Sequence, residues 1–156
     1  METKKEFKRL DRRTDMRIGI VGQGYVGSAV KEVFSKHYDV ETYDLDKDKC
    51  SVDYLEDIVE LSNIIFVCVP TPMKKDGSQD LSFVESFFKT AKDGPIYIIK
   101  STIIPGTTNL LNEKFKNLKI VFSPEFLTER TAKLDILTQT RIILGGDKDL
   151  TSKVRK

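Results

Sequence analysis

Ile64-Ile65-Phe66-Val67-Cys68-Val69 is a run of six residues without a polar side chain. Successive side chains of a strand point to opposite faces, so both faces of this one must be covered. That demands a central strand with helices packed above and below it. Pro70 has no amide to give the ladder and ends the strand, and Pro70-Thr71-Pro72 opens a loop that reaches about Asp80.

The segments on either side alternate in the same sense. Met16-Arg17-Ile18-Gly19-Ile20-Val21-Gly22 reads as a buried strand ending in glycine, and Val26, Ala29, Val30, Val33 and Phe34 then recur at helical spacing. Asp39–Tyr43 is a second strand, residues 53–60 a short amphipathic helix with at most a stub of strand at Cys50–Val52, and Leu81–Ala91 a helix. Strands are predicted at Pro95–Ile99, Leu118–Phe122 and Arg141–Leu144, with helices at Thr107–Phe115 and Phe126–Leu137 between them. Alternating strands and helices give an α/β domain with a doubly wound, mostly parallel sheet and right-handed crossovers. A single domain is expected over residues 16–150, after a flexible charged extension at 1–15 and before a tail at 151–156.

Charge excludes some functions. Residues 1–15 hold six of the 26 basic and four of the 24 acidic side chains, which leaves the remainder balanced and without a basic surface for nucleic acid. Two cysteines and one histidine supply neither a four-ligand zinc site nor a disulfide framework, so no metal is expected and a reducing, cytoplasmic setting is the default. No stretch approaches the ~20 apolar residues of a membrane span.

Gly22-Gln23-Gly24-Tyr25-Val26-Gly27 directly follows a strand and opens a helix, where a dinucleotide fingerprint belongs. Gly22 permits the tight turn, Gly24 removes the side chain that would block a pyrophosphate, and Gly27 lets helix and sheet pack closely. Free amides and the positive end of the helix dipole favour phosphate there. Asp44 ends the second strand, where a carboxylate accepts ribose hydroxyls and repels a 2′-phosphate, so NAD is favoured over NADP. Methyltransferases that bind S-adenosylmethionine also combine a glycine-rich turn with such an acid. The turn alone leaves both readings open.

Three further segments, Val67-Cys68-Val69-Pro70-Thr71-Pro72, Lys100-Ser101-Thr102-Ile103-Ile104-Pro105-Gly106-Thr107-Thr108 and Ser123-Pro124-Glu125-Phe126-Leu127-Thr128-Glu129-Arg130-Thr131-Ala132, stand at strand ends in a fixed order. With the glycine turn they resemble the UDP-glucose/GDP-mannose dehydrogenase family over nearly all of residues 16–146. The resemblance implies a Rossmann-like domain that binds NAD in an enzyme oxidising the C6 hydroxyl of a nucleotide sugar such as UDP-glucose to a carboxylate. Two hydride transfers flank the trapping of an aldehyde by a cysteine thiol, and the thioester is then hydrolysed. Carried over, it implies that Gly22, Gly24, Tyr25, Val26 and Gly27 face the pyrophosphate and that Asp44 and Lys49 lie at the adenosine ribose. Val69, Thr71, Ser101 and Thr102 would line the cleft, Glu125 would be the base for hydrolysis with Thr102 positioning water, and Phe126–Glu129 would form a loop at the sugar and nicotinamide. Glu129 is counted with Thr102 and Glu125 among the catalytic candidates.

The family's catalytic thiol lies in a second domain, and neither Cys68, inside an apolar strand, nor Cys50, in a polar stretch that no motif places near Glu125, replaces it. Only 19 residues separate Asp44 from Ile64, where the family has a longer segment, and Arg130 stands where the family commonly has glycine. The expectation is a cofactor-binding domain completed by a second domain or polypeptide. The alternatives are a binding module without turnover that acts through a partner and, third, the methyltransferase.

Overall fold

Ile18, Ile20 and Val21 are buried, as are Ile65, Phe66 and Val67 and then Tyr97, Ile98 and Ile99, so the most apolar segments become the middle of the sheet. The computed structural model describes residues 15–155, so the extension expected at 1–15 lies, apart from Asp15, outside the described residues. The strands are β1 (Arg17–Val21), β2 (Asp39–Tyr43), β3 (Ile64–Val67), β4 (Ile96–Ile99) and β5 (Lys119–Phe122). All four pairings are parallel and the spatial order is β2-β1-β3-β4-β5. The helices are α1 (Tyr25–Phe34), α2 (Leu55–Leu61), α3 (Ser82–Thr90), α4 (Thr107–Lys114), α5 (Ala132–Thr138) and α6 (Lys148–Arg155).

Each sheet face has its own core. On one, Ile58 and Val59 of α2, Val84, Phe87 and Phe88 of α3 and Leu111 of α4 pack on Ile65, Val67, Tyr97 and Ile99. Fully burying a side chain of this size contributes roughly 1.5–3 kcal/mol. Tyr97 is buried because its hydroxyl is satisfied: it donates to the Lys92 carbonyl (2.6 Å) and accepts the Lys92 amide (3.1 Å). On the other face, Val30 of α1 joins Ile18, Ile20, Phe66 and Ile98, with Ile136 of α5 and Leu150 and Val154 of α6 packed against them.

Three expectations about the chain's course require correction. Arg141–Leu144 is not a strand: Ile142 and Ile143 are exposed, and only Gly145 pairs with the sheet, in an antiparallel bridge to Phe122. Cys50–Val52, where at most a stub of strand is expected, forms none: the Ser51 amide donates to the Thr42 carbonyl at 2.9 Å, but the Thr42 amide donates to the Ser51 hydroxyl at 2.7 Å instead of to backbone. The helix expected from Phe126 begins at Ala132, since Asp135 reaches back to accept the Thr128 amide and the Thr131 hydroxyl and holds that stretch as a turn. Residues 151–155 are not a tail but belong to α6, whose apolar side packs on the second core.

Leaving β1 the chain turns to β2 on one side, and β3 lies on the other, so a crevice opens between the loops after β1 and β3 at their carboxyl ends. The glycine turn, Asp44, Thr71, Thr102 and Glu125 all follow strand ends at this edge.

Candidate functional site

The turn after β1 is built by backbone. Gly22 has φ +90°, and a Cβ there would lie 2.5 Å from the Cys68 carbonyl oxygen, so only glycine fits between β1 and β3. A Cβ on Gly27 would collide with the Gly22 carbonyl oxygen, which ties the first turn of α1 tightly to the loop beneath it. At Gly24 a Cβ would meet nothing within 4 Å. Packing therefore explains Gly22 and Gly27 and leaves Gly24 unexplained, and the close approach of a pyrophosphate to the helix amides accounts for Gly24.

Asp44 binds the turn as well as facing it. Its Oδ2 accepts the Gln23 amide at 2.6 Å and its Oδ1 the Asp46 amide at 2.9 Å, each oxygen keeping acceptor capacity for a ribose hydroxyl. Partial burial pushes its carboxyl up, but the amides of Asp46 and Gln23 and the Lys49 ammonium outweigh that, and the net displacement is downward. Lys49, in a short 3-10 helix at Lys47–Lys49, pairs with Asp46 at 3.4 Å. Cys50 is drawn into the same corner: its Sγ donates to the Asp44 carbonyl at 3.1 Å and accepts the Asp44 amide at 3.2 Å.

A cleft of about 260 Å³ runs from Gly24, Tyr25 and Val26 past Val69, Thr71, Ser101 and Thr102 to Glu125, which brings most of the expected site residues onto one surface. Asp44 and Lys49 are not on its wall and flank the turn from the β2 side. Ser101 is buried and spends its hydroxyl on the Val69 carbonyl at 2.7 Å, so it shapes the wall. The Thr102 carbonyl accepts the Thr71 hydroxyl at 2.6 Å. Glu125 directly precedes the helix expected from Phe126 but stands at no helix start; its Oε2 accepts the Leu127 amide at 2.6 Å in a local turn seven residues before α5. Glu129 is exposed in the turn before α5 and does not line the cleft.

Lys100 opens one of the motifs without a role legible in the sequence, yet it is buried and lines this cleft. Its Nζ donates to the Ser123 hydroxyl (3.4 Å) and the Pro124 carbonyl (3.3 Å), fastening the segment that leads to Glu125. Burial pulls its ammonium below the usual lysine range, and Cys68 and Glu125 offset part of that. Near neutral pH the folded protein bears the cost of a buried charge. As pH rises toward the ordinary lysine range, the folded protein releases this proton before the unfolded chain does, so the cost falls. Lys100→Met is expected to raise the melting temperature by about 2–4 °C near neutral pH, with the gain shrinking on alkaline titration. An unchanged or lower melting temperature at neutral pH, read by calorimetry, contradicts this.

Burial pushes the Cys68 thiol up to about 12, so it holds its proton and is no nucleophile at neutral pH. Among the described residues no group of three His, Cys, Asp or Glu side chains could hold a metal ion, and no helix is long and apolar enough to cross a membrane.

Asp44, Gly24 and Glu125 stand after strand ends on one edge of the sheet, where an open parallel sheet takes a dinucleotide. Comparison with known proteins agrees. Residues 52–156 match the UDP-glucose/GDP-mannose dehydrogenase family, NAD binding domain. The chain is 31% identical over 165 residues to UDP-glucose 6-dehydrogenase of Streptococcus pneumoniae, covering 86% of this chain and 42% of that protein. It is 34% identical over 173 residues to the Campylobacter jejuni UDP-glucose 6-dehydrogenase, covering 88% of this chain and 43% of the relative. Among solved structures, a UDP-glucose dehydrogenase from Pyrobaculum islandicum superimposes with a TM-score of 0.77 at 24% identity, over 93% of this chain and 44% of that one. The chain thus spans about two fifths of the length of these relatives. The methyltransferase alternative falls with this match, and the chain belongs to the UDP-glucose/GDP-mannose dehydrogenase family as its NAD-binding domain.

Proposed function

We propose that the chain is the cofactor half of a nucleotide-sugar 6-dehydrogenase, acting on UDP-glucose or a close analogue when a second, thiol-bearing domain or polypeptide completes the site. The observation that carries this reading is the convergence of Gly24, Thr71, Thr102 and Glu125 on one cleft, beside the carboxylate of Asp44. Bound NAD would supply the hydride acceptor. The glycine turn would hold the pyrophosphate by amides, and Asp44 would accept the adenosine ribose hydroxyls. Thr102, exposed at the mouth of the cleft, would orient a water molecule, and Glu125 would take its proton as the acyl group is hydrolysed. Phe126, also exposed, begins the loop that would face sugar and nicotinamide.

The state of the two thiols favours dependence on another domain: Cys68 is held protonated, and Cys50 is bonded at Asp44 rather than placed beside Glu125. The pure chain mixed with NAD and UDP-glucose is expected to produce no NADH. Adding the separately expressed C-terminal domain of a family member is expected to restore it. Sustained turnover by the chain alone contradicts the proposal; NAD binding with no turnover in either mixture favours a binding module that acts through a partner.

A further inference from the structure

Resting on the NAD reading and going beyond it, we propose that Gln79 is a positioning residue that sets the nicotinamide half of the cleft. The pyrophosphate turn lies on β1 and the ribose carboxylate on β2, so the other half of a dinucleotide must extend the opposite way, over β3 and β4 toward Thr102. Thr102 stands in a stretch without regular secondary structure, and its placement depends on what holds its backbone. The Gln79 carboxamide does this with both ends: Nε2 donates to the Thr102 carbonyl at 2.7 Å, and Oε1 accepts the Ile104 amide at 3.2 Å. It takes the place of a neighbouring strand for these two residues. The Thr71 hydroxyl adds a second donor to the same carbonyl.

Gln79 can serve as an anchor because its own backbone is fixed. Met73 and Gln79 form an antiparallel bridge, the Asp80 amide donates to the Pro72 carbonyl at 2.8 Å, and the Lys74 amide donates to the Ser78 carbonyl at 2.7 Å. The loop after β3 is thus a small closed hairpin whose one inward carboxamide clamps the loop after β4.

Calorimetric titration with NAD and with ADP tests this, because ADP carries the adenosine and both phosphates and lacks the other half. Gln79→Ala is expected to raise the Kd for NAD about tenfold, as the loss of two hydrogen bonds predicts, while the Kd for ADP changes less than about twofold. Thr71→Val is expected to shift the same ratio by a smaller factor, and it serves as the test if Gln79→Ala does not fold. Gln79→Glu, which keeps the acceptor and loses the donor, should not restore NAD affinity. Equal weakening of NAD and ADP, or no weakening of either, overturns the inference and leaves the NAD reading standing. Failure of the unaltered chain to bind NAD overturns that reading, and this inference with it.

Discussion

Gly24→Val is expected to lower NAD affinity by at least about 100-fold while the melting temperature stays within a few degrees of the unaltered protein. The backbone at Gly24 is extended, with φ −72° and ψ −163°, and no atom beyond its two chain neighbours lies within 4 Å of where a Cβ would stand. The Cβ of a substituted residue therefore stands clear of the folded chain, and the valine side chain is expected to obstruct what comes to the amides from outside. Gly27→Ala is the necessary contrast. Helix propensity alone would make it stabilising by roughly 0.5–1 kcal/mol. The collision with the Gly22 carbonyl reverses the sign, and a loss of about 3 kcal/mol or more is expected together with loss of NAD binding. Chemical denaturation and calorimetric titration on both variants separate the two glycines; a Gly24 variant that binds NAD normally contradicts the assignment.

Asp44→Ala is expected to weaken NAD by about 10- to 100-fold, the ~1.5–3 kcal/mol of hydrogen bonds to a charged group. Part of that loss comes through the turn, because Asp44 also fixes the Gln23 amide. Asp44→Asn keeps an acceptor for Gln23 and removes the charge. It should therefore recover part of the NAD affinity and narrow the preference over NADP, since the repulsion of a 2′-phosphate goes with the charge. As the Asp44 carboxyl is displaced downward, its contribution is full at neutral pH and is lost only as pH falls through the acid side of the ordinary carboxylate range. Unchanged dissociation constants for both cofactors in Asp44→Ala remove Asp44 from the ribose site.

The parts of the site that were legible in the sequence are those whose chemistry sits in contiguous residues. Gly22–Gly27 is read from spacing because strand, turn and helix follow one another without interruption. The buried strands are read from unbroken apolar runs, and Ile64–Val67 is central because nothing polar interrupts it, whereas the order of the strands in the sheet is not legible there. Residues that act across the fold carry no such mark. Lys100 meets Pro124, and Gln79 meets Thr102 and Ile104, only because adjacent parallel strands bring their following loops together. The misplaced start of α5 has the same origin: apolar spacing from Phe126 onward suggests a helix, but Asp135 competes for the backbone from inside the next turn. Ile142 and Ile143 have strand-like side chains, yet Gly145, a few residues later, is what pairs with Phe122, and the apolar pair stays outside the sheet.

Calorimetric titration of the unaltered chain with NAD, NADP and S-adenosylmethionine bears most directly on whether amides at the start of α1 and the carboxylate of Asp44 form a dinucleotide site. Saturable one-to-one binding of NAD is predicted, with NADP at least about tenfold weaker and no heat from S-adenosylmethionine. Tighter binding of S-adenosylmethionine, or no binding of NAD, would contradict it.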